Sequence, residues 1–178
     1  MYIPLNLPEK AIDDWKIESF QAEGVKYQQL TCKGIVIMAN TPPIVAQYVH
    51  FLEIAEGNIL INGLGIGMCS QYLLNKASVS SLTVVEFNKT VIELVAPNFA
   101  HYPNHRVIHA NAFEFEPPKD MVYNLVWHDI WTLYSSKNLQ EMDILFEKYS
   151  KFALWQGAWA RADCIKMKIK EQIHHNKH

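Results

Sequence analysis

The sequence predicts an α/β fold, in which a mostly parallel sheet carries helices on both of its faces. Two observations support this prediction. From residue 58 onward, short runs rich in isoleucine, valine and leucine alternate with segments whose apolar residues recur at helical spacing, and such alternation is typical of parallel sheets with right-handed crossovers. The first of these runs also leads directly into a glycine-rich turn. The predicted architecture is therefore Rossmann-like.

The length of the chain limits the number of domains. It has 178 residues, of which 49% are hydrophobic, which is enough for one core and too short for two ordinary domains. We expect one compact unit in which residues 1–40 form a small N-terminal β-layer and residues 41–178 form the Rossmann-like domain. Apolar residues between Trp15 and Met38 recur in short segments interrupted by two glycines, which suits strands joined by turns. Thr41, with two prolines after it, predicts the start of a helix that leads up to Gly57.

The Rossmann-like domain is predicted to contain five strands with helices between them. The first four strands cover 58–62, 82–86, 106–109 and 123–127, and the first two helices cover 68–76 and 90–96. Beyond them the pattern predicts a helix from Leu139 to Tyr149, a fifth strand from Phe152 to Trp159 and a basic terminal helix from Ala162 to Ile173. The histidines at the end of the chain, His174, His175 and His178, are interpreted as a frayed tail without a role.

Charge and cysteine content exclude several classes of function. A formal net charge of -2 gives no overall positive field and so no strong signal for nucleic-acid binding, which makes a small molecule the favoured partner. Cys32, Cys69 and Cys164 are widely spaced, without paired ligand spacing, which indicates reduced cysteines and no metal site. The sequence shows neither a signal peptide nor a run of membrane-spanning length, so we expect a cytoplasmic protein without a membrane partner.

A glycine-rich turn, Gly63-Leu64-Gly65-Ile66-Gly67, follows the strand that ends at Asn62. Glycines here let the backbone approach a ligand, and the helix that follows offers unpaired N–H groups. Dinucleotide sites use the spacing G-x-G-x-x-G, whereas this chain has Met68 at the position of the last glycine. The spacing therefore favours S-adenosylmethionine over NAD, although such a turn alone is also compatible with a structural role. The cofactor-binding residues expected here are Asn62, Gly63, Gly65 and Gly67.

Residues at two further strand ends fit the same ligand. Glu86 ends the second strand, about 20 residues beyond the turn, where an acidic side chain can accept hydrogen bonds from both ribose hydroxyls, and Phe87 follows it. Asn111 and Ala112 lie just past the third strand, where such folds hold the adenine edge. A strand-end glutamate and a turn asparagine also occur for backbone reasons alone, so both interpretations stay open for these two positions.

The segment Trp127-His128-Asp129-Ile130-Trp131 places a polar pair between aromatic residues at the end of the fourth strand. Ligands of open α/β sheets bind at the carboxyl ends of the strands, so Asp129 and His128 are the candidate catalytic residues. The alternative is that Asp129 caps a helix and His128 is a buried, hydrogen-bonded residue. The four tryptophans of the C-terminal half are consistent either with a pocket for a flat acceptor or with core packing.

Together these motifs resemble class I S-adenosylmethionine-dependent methyltransferases, and within that superfamily the spermidine-synthase-like branch is the most similar. The resemblance runs from Gly34 to Trp131 and depends on the order and spacing of the motifs. It implies the following placement: Gly63, Gly65 and Gly67 around the methionine part of the cofactor, Glu86 on the ribose, Asn111 and Ala112 near adenine, and Asp129 at the catalytic carboxylate position.

The sequence also departs from the spermidine synthase pattern. Those enzymes carry an aspartate inside the glycine turn, where this chain has Ile66, and a second acidic residue soon after the catalytic one, where it has Ile130-Trp131-Thr132. Without these carboxylates a polyamine loses its cationic partners, so aminopropyl transfer is disfavoured. Asn111 replaces an aspartate that is usual near adenine; an amide can both donate and accept hydrogen bonds.

The C-terminal edge of the sheet is predicted to be shortened. A full methyltransferase sheet has seven strands, and only about 28 residues follow the helix that ends near Ser150, too few for a final hairpin and its connections. The edge is either truncated or completed by another subunit, which favours a homo-oligomer.

The leading functional interpretation is a methyltransferase that uses S-adenosylmethionine and an unidentified acceptor, most simply a small molecule. The second is an adenosyl-binding sensor or scaffold, or a lyase that degrades the cofactor without transferring its methyl group. A NAD-dependent oxidoreductase is the third.

Overall fold

The computed structural model describes residues 1–175, and the last three residues, including His178, lie outside this range. The strands are β1 (Lys10–Ile12), β2 (Trp15–Ala22), β3 (Val25–Cys32), β4 (Ile35–Ala39), β5 (Gly57–Asn62), β6 (Val79–Glu86), β7 (His105–His109), β8 (Tyr123–His128) and β9 (Ala153–Ala158). The helices are α1 (Pro42–Val45), α2 (Val49–Ile54), α3 (Met68–Leu74), α4 (Lys89–Val95), α5 (Asn138–Tyr149) and α6 (Arg161–His175), with a 3-10 turn at Ala96–Phe99. Because α6 extends through His175, the first two terminal histidines lie in a helix and not in a frayed tail.

The N-terminal part forms a four-stranded antiparallel sheet in the order β1-β2-β3-β4, which confirms the predicted β-layer. Each of the two tight turns between β2, β3 and β4 contains a glycine at φ +76°, a conformation that suits hairpins. Buried side-chain amides attach the first residues of the chain to this sheet. Gln28 exchanges hydrogen bonds of 2.9 and 2.8 Å with the backbone of Leu7, and Asn40 donates to the carbonyl of Ile3 at 2.8 Å.

The helix predicted after Thr41 is divided into α1 and α2, so the prediction of one continuous helix is wrong. In the intervening turn, the backbone N–H groups of Gln47 and Tyr48 bond to carbonyls three residues earlier, both at 3.0 Å, which tightens the chain and ends the α-helical pattern. The turn buries Tyr48, whose ring centroid lies 6.1 Å from that of Trp127. The break thus places a tyrosine beside the end of β8.

The main sheet contains five parallel strands in the order β7-β6-β5-β8-β9, which confirms the Rossmann-like prediction. Side chains alternate between the two faces. Ile59 and Ile61 of β5 pack in the core shared with α2, α3, α4 and the β-layer, whereas Leu60 packs with Leu145 and Tyr149 of α5 on the opposite face. Helices therefore cover both faces. Successive strands are added on one side of β5 as β6 and β7 and then on its other side as β8 and β9, so the topological switch point lies between β5 and β8.

In the part of the chain that the structure describes, β9 forms one edge of the main sheet. Within residues 1–175, β9 pairs with β8 alone and no strand lies beyond it. In the same range, no helix combines the length and the apolarity needed to cross a membrane.

Candidate functional site

A cavity of about 440 Å³ lies at the carboxyl ends of the parallel strands. This volume is within the range of about 300–1,000 Å³ that is usual for small-molecule sites. Its floor is formed by residues that follow β5, β6, β7 and β8, and its roof by Trp15, Leu30, Ile37 and Met38 of the β-layer. The cavity thus lies at the topological switch point, where open α/β sheets bind their ligands.

The cavity brings together seven of the ten residues that the sequence predicts for the site. These are Gly63, Gly65, Glu86, Phe87, Asn111, Ala112 and Asp129. The other three, Asn62, Gly67 and His128, lie behind its wall, and Asn62 and His128 are fully buried.

The first two glycines allow close approach at the switch point. Gly63 has φ +106°, and a Cβ added there would lie 2.0 Å from the backbone carbonyl oxygen of Asp129. Gly65 has φ +52°, and its Cβ would lie 2.3 Å from the sulfur of Met38, which belongs to the roof. Side chains of any size at these positions would displace either the end of β8 or the roof.

Gly67 has a packing role in the structure. It precedes α3 with φ +78°, and a Cβ there would lie 2.5 Å from the ring of Phe99. The third glycine therefore lets α3 pack against the 3-10 turn, and it does not border the cavity. Glycine spacing alone does not separate this role from ligand contact.

Glu86 connects two loops that border the cavity. One carboxylate oxygen accepts a hydrogen bond from the N–H of Leu64 in the glycine turn at 2.8 Å, and the other accepts from the N–H of Asn88 at 2.7 Å. Asn88 in turn caps α4 by accepting from the N–H groups of Thr90 and Val91. Each carboxylate oxygen can accept a second hydrogen bond, so Glu86 can shape the loops and bind a ligand together. Phe87 is 72% exposed and stands at the rim.

Asn111 and Ala112 form the turn that closes the cavity beyond β7. The side-chain oxygen of Asn111 accepts from the N–H of Phe113 at 3.0 Å, and its carbonyl accepts from two further N–H groups. The carbonyl of Ala112 accepts a hydrogen bond from the hydroxyl of Tyr149 at 2.9 Å. The turn is therefore held in place by α5 and presents its other side to the cavity.

Asp129 borders the cavity between the glycine turn and Tyr48. Its carboxylate accepts a hydrogen bond from the Tyr48 hydroxyl at 2.9 Å. Burial, together with the nearby Glu86 carboxylate, raises the pKa of Asp129 to about 7, although the Tyr48 hydrogen bond opposes this shift. Burial also raises the pKa of Tyr48 well above its usual value, so Tyr48 stays protonated and keeps donating. Tyr48 was missed from the sequence because no local pattern links it to a residue 81 positions away.

His128 belongs to a buried polar network on the opposite side of β8. The amide nitrogen of Asn62 donates to Nδ1 of His128 at 2.8 Å, and the oxygen of the same amide lies 3.3 Å from the hydroxyl oxygen of Tyr149. Nε2 of His128 then carries the proton and donates to Gln156 at 3.1 Å. Burial lowers the pKa of His128 to about 4, so it is a neutral link between β5, β8 and β9.

The tryptophans divide into two groups. Trp127 is buried and stacks on Phe51 with ring centroids 4.7 Å apart, and Trp155 stacks on Trp127 at 6.4 Å. Trp131 and Trp159, by contrast, border the cavity, as does Trp15 from the β-layer. Of the four tryptophans in the C-terminal half, two are therefore core residues and two face the cavity.

Comparisons with known proteins find the same fold in solved structures. No protein-family model matches the sequence, and no curated protein matches it. Spermidine synthase from Thermotoga maritima is 16% identical, with a TM-score of 0.52 over 83% of this chain and 52% of the synthase. The N-methyltransferase NodS from Bradyrhizobium japonicum WM9 is 15% identical, with a TM-score of 0.52 over 70% of this chain and 74% of NodS.

The chain is shorter than most of these proteins. It spans about half the length of the synthase and between 41% and 50% of five other matched structures. At such low identities the comparisons show the fold alone, and that fold agrees with the resemblance carried by the sequence motifs. The chain has the fold of the class I S-adenosylmethionine-dependent methyltransferases, which spermidine synthase shares.

Proposed function

We propose that the protein is a methyltransferase that uses S-adenosylmethionine and acts on a small-molecule acceptor. One observation carries this proposal: a single cavity at the switch point of the sheet is bordered by the glycine turn, Glu86 and Asp129. The first two of these features suit an adenosyl ligand, and the third suits proton removal from an acceptor.

The residues present fit the cofactor in their chemistry. Gly63 and Gly65 leave the backbone of the turn uncovered, Glu86 retains lone pairs for ribose hydroxyls, and the amide of Asn111 can donate to a ring nitrogen. The residues that border the cavity include two carboxyl groups, those of Glu86 and Asp129, and negative charge nearby favours a positively charged sulfonium. We therefore propose that these residues, with Ala112 beside the adenine, hold S-adenosylmethionine.

When bound, the cofactor supplies a methyl group that is activated by attachment to a positive sulfur. The chain's own residues would position the acceptor and manage its proton. Asp129 would accept the proton from the acceptor's N–H or O–H, for which a pKa near 7 is well matched at neutral pH. Tyr48 would fix the orientation of the carboxylate through its 2.9 Å hydrogen bond. Holding the reactants in line would provide most of the acceleration.

Aminopropyl transfer is the less favoured activity for this cavity. A polyamine carries at least two cations, and beyond Asp129 the wall continues with Ile130, Trp131 and Thr132, which provide no second carboxylate. We therefore propose methyl transfer, and not aminopropyl transfer, as the activity of this protein.

Incubation of the purified protein with methyl-labelled S-adenosylmethionine and fractionated cell extract tests the proposal. We expect label to pass to a small molecule of the extract and S-adenosylhomocysteine to accumulate in equal amount. Cofactor breakdown without a labelled acceptor would instead support a lyase, and tight binding without turnover would support a sensor or scaffold. Binding of NAD in place of S-adenosylhomocysteine in a calorimetric titration would refute the cofactor assignment.

A further inference from the structure

The cavity has a second half that the cofactor residues do not account for. Glu86, Asn111 and Ala112 follow β6 and β7 on one side of the switch point, whereas Trp131 and Trp159 follow β8 and β9 on the other, with Asp129 at the end of β8. Trp15 borders the cavity from the β-layer. All three tryptophans are half-buried, in contrast to Trp127 in the core. Large aromatic surfaces that remain partly uncovered beside a cavity favour contact with a ligand.

Hydrogen bonds fix the orientation of two of these rings. The indole N–H of Trp159 donates to the side-chain oxygen of Gln47 at 2.7 Å, and that of Trp131 donates to the carboxylate of Glu141 at 2.6 Å. Both polar edges are therefore occupied by the protein, and the apolar ring surfaces are what these residues offer to a ligand. Rings held in this way bind a flat partner with little loss of side-chain entropy.

The charged residues around the cavity also limit the charge that an acceptor can carry. Among residues 1–175, those that border the cavity include no lysine, arginine or histidine, so an anionic acceptor would lose its hydration without gaining a cationic partner. Among the described residues that border the cavity beside Trp131 and Trp159, Asp129 is the one with a carboxylate, and it already accepts a hydrogen bond from Tyr48. A compound with several cations is therefore poorly matched as well.

We infer that the acceptor is an uncharged, planar aromatic compound that lies against Trp131 and Trp159 and directs a hydroxyl or amine towards Asp129 and Tyr48. This inference rests on the proposed methyl transfer. In the reaction the acceptor's oxygen or nitrogen bonds to the methyl carbon, and the sulfur–methyl bond breaks with its electron pair remaining on sulfur. The acceptor's proton passes to the Asp129 carboxylate.

Three probes that differ in charge test the inference. They are 2-naphthol, 6-hydroxy-2-naphthoate, which adds a carboxylate to the same ring system, and spermidine. Calorimetric titrations of the protein saturated with S-adenosylhomocysteine should show 2-naphthol binding about tenfold or more tighter than either other probe. Equal or tighter binding of the naphthoate or of spermidine would overturn the inference.

Substitutions in the two tryptophans locate the binding. Trp131→Ala and Trp159→Ala should each raise the Kd of 2-naphthol about tenfold, the scale of losing one stacking platform, without changing the Kd of S-adenosylhomocysteine. Trp131→Phe and Trp159→Phe keep an aromatic face and should retain most of the affinity even if an alanine variant folds poorly. Trp155→Phe, outside the cavity, is the matched control and should bind 2-naphthol normally.

The outcomes distinguish a failure of the proposed methyl transfer from a failure of the assigned acceptor class. If the wild-type protein does not bind S-adenosylhomocysteine, the proposed function fails, and the inference fails with it. If S-adenosylhomocysteine binds but 2-naphthol binds equally well to the wild-type protein and to both alanine variants, only the inference fails.

Discussion

The hydroxyl of Tyr48 donates a 2.9 Å hydrogen bond to the carboxylate of Asp129, and this contact joins the turn between α1 and α2 to the end of β8. Two opposing effects meet at the carboxylate: burial and Glu86 raise its pKa, and Tyr48 lowers it. The resulting value of about 7 allows Asp129 to change its charge within the physiological range. The first two predictions follow from this balance.

Asp129→Asn keeps the size of the side chain and removes the carboxylate that we propose as the base. We expect turnover to fall by about 10² or more, the usual contribution of a positioned base. Affinity for S-adenosylhomocysteine, which has no positive sulfur, should change little. Steady-state rates and calorimetry measure the two quantities. Full turnover in the variant would show that Asp129 is not the base, and loss of S-adenosylhomocysteine binding would indicate a structural role.

Tyr48→Phe removes a hydrogen bond that stabilises the charged carboxylate. In the wild-type protein the rate should rise with pH and level off above about 7, because Asp129 must be deprotonated to accept a proton. Without the hydroxyl the pKa of Asp129 rises, so the midpoint of the pH–rate curve should move to higher pH. A curve that stays in place, or one that moves to lower pH, contradicts the role given to Tyr48.

Glu86→Ala should weaken the binding of S-adenosylhomocysteine by about 1.5–3 kcal/mol, the range for hydrogen bonds to a charged group. Glu86→Gln should also bind weakly, because its NH₂ group must face one of the two backbone N–H donors, Leu64 or Asn88. Glu56→Gln, at an exposed position, provides the control. Normal affinity in folded Glu86 variants would limit this carboxylate to shaping the loops.

Gly65→Ala should weaken cofactor binding through the roof of the cavity. The new Cβ would lie 2.3 Å from the sulfur of Met38, so Met38 must move towards the cavity or the β-layer must lift. Met38→Ala makes room, and the double variant should recover part of the lost affinity. The left-handed backbone at Gly65 should in addition lower the folding stability of both Gly65 variants by about 1 kcal/mol. Simple additivity of the two substitutions in a double-mutant cycle would show that this contact is not the cause.

His128→Gln should change how the free energy of unfolding depends on pH, because His128 is buried in its neutral form. The folded-state pKa of His128 is about 4, below the unfolded value of about 6.5, so its stabilising effect is complete above pH 6.5 and is lost as pH falls towards 4. The stability difference between wild type and variant should therefore shrink by about 2 kcal/mol between pH 7 and pH 5. Urea unfolding at both pH values measures it. Comparing the two proteins cancels the opposite contribution of Asp129, and a constant difference would contradict the assignment.

The sequence predicted the elements of the fold better than the positions of side chains. Runs such as Ile59 to Ile61 identify strands because a strand covered on both faces is apolar throughout. The role of Tyr48 and the roof residue Met38 depend on contacts between distant segments, which no local pattern encodes. Gly67 and His128 lie in the predicted motifs. In the structure, however, Gly67 allows two helical segments to pack closely, and His128 belongs to a buried hydrogen-bond network. Motif spacing identified the strand ends that border the cavity, whereas the residues of its roof could be identified only from the tertiary structure.

The order of the strands also has a consequence for how the protein folds. β5 and β6 are joined by one short crossover, but β5 must also pair with β8, and the partners Asn62 and His128 are 66 residues apart. Pairing over such distances is slow because a long loop must be closed before any contact forms. During synthesis, a chain that has not yet reached residue 129 contains the glycine turn, Glu86 and Tyr48, but it lacks the strand that completes the switch point. The cavity should therefore be among the last features to form. Under the proposed function, an adenosyl ligand would bind only to molecules in which the central sheet is complete.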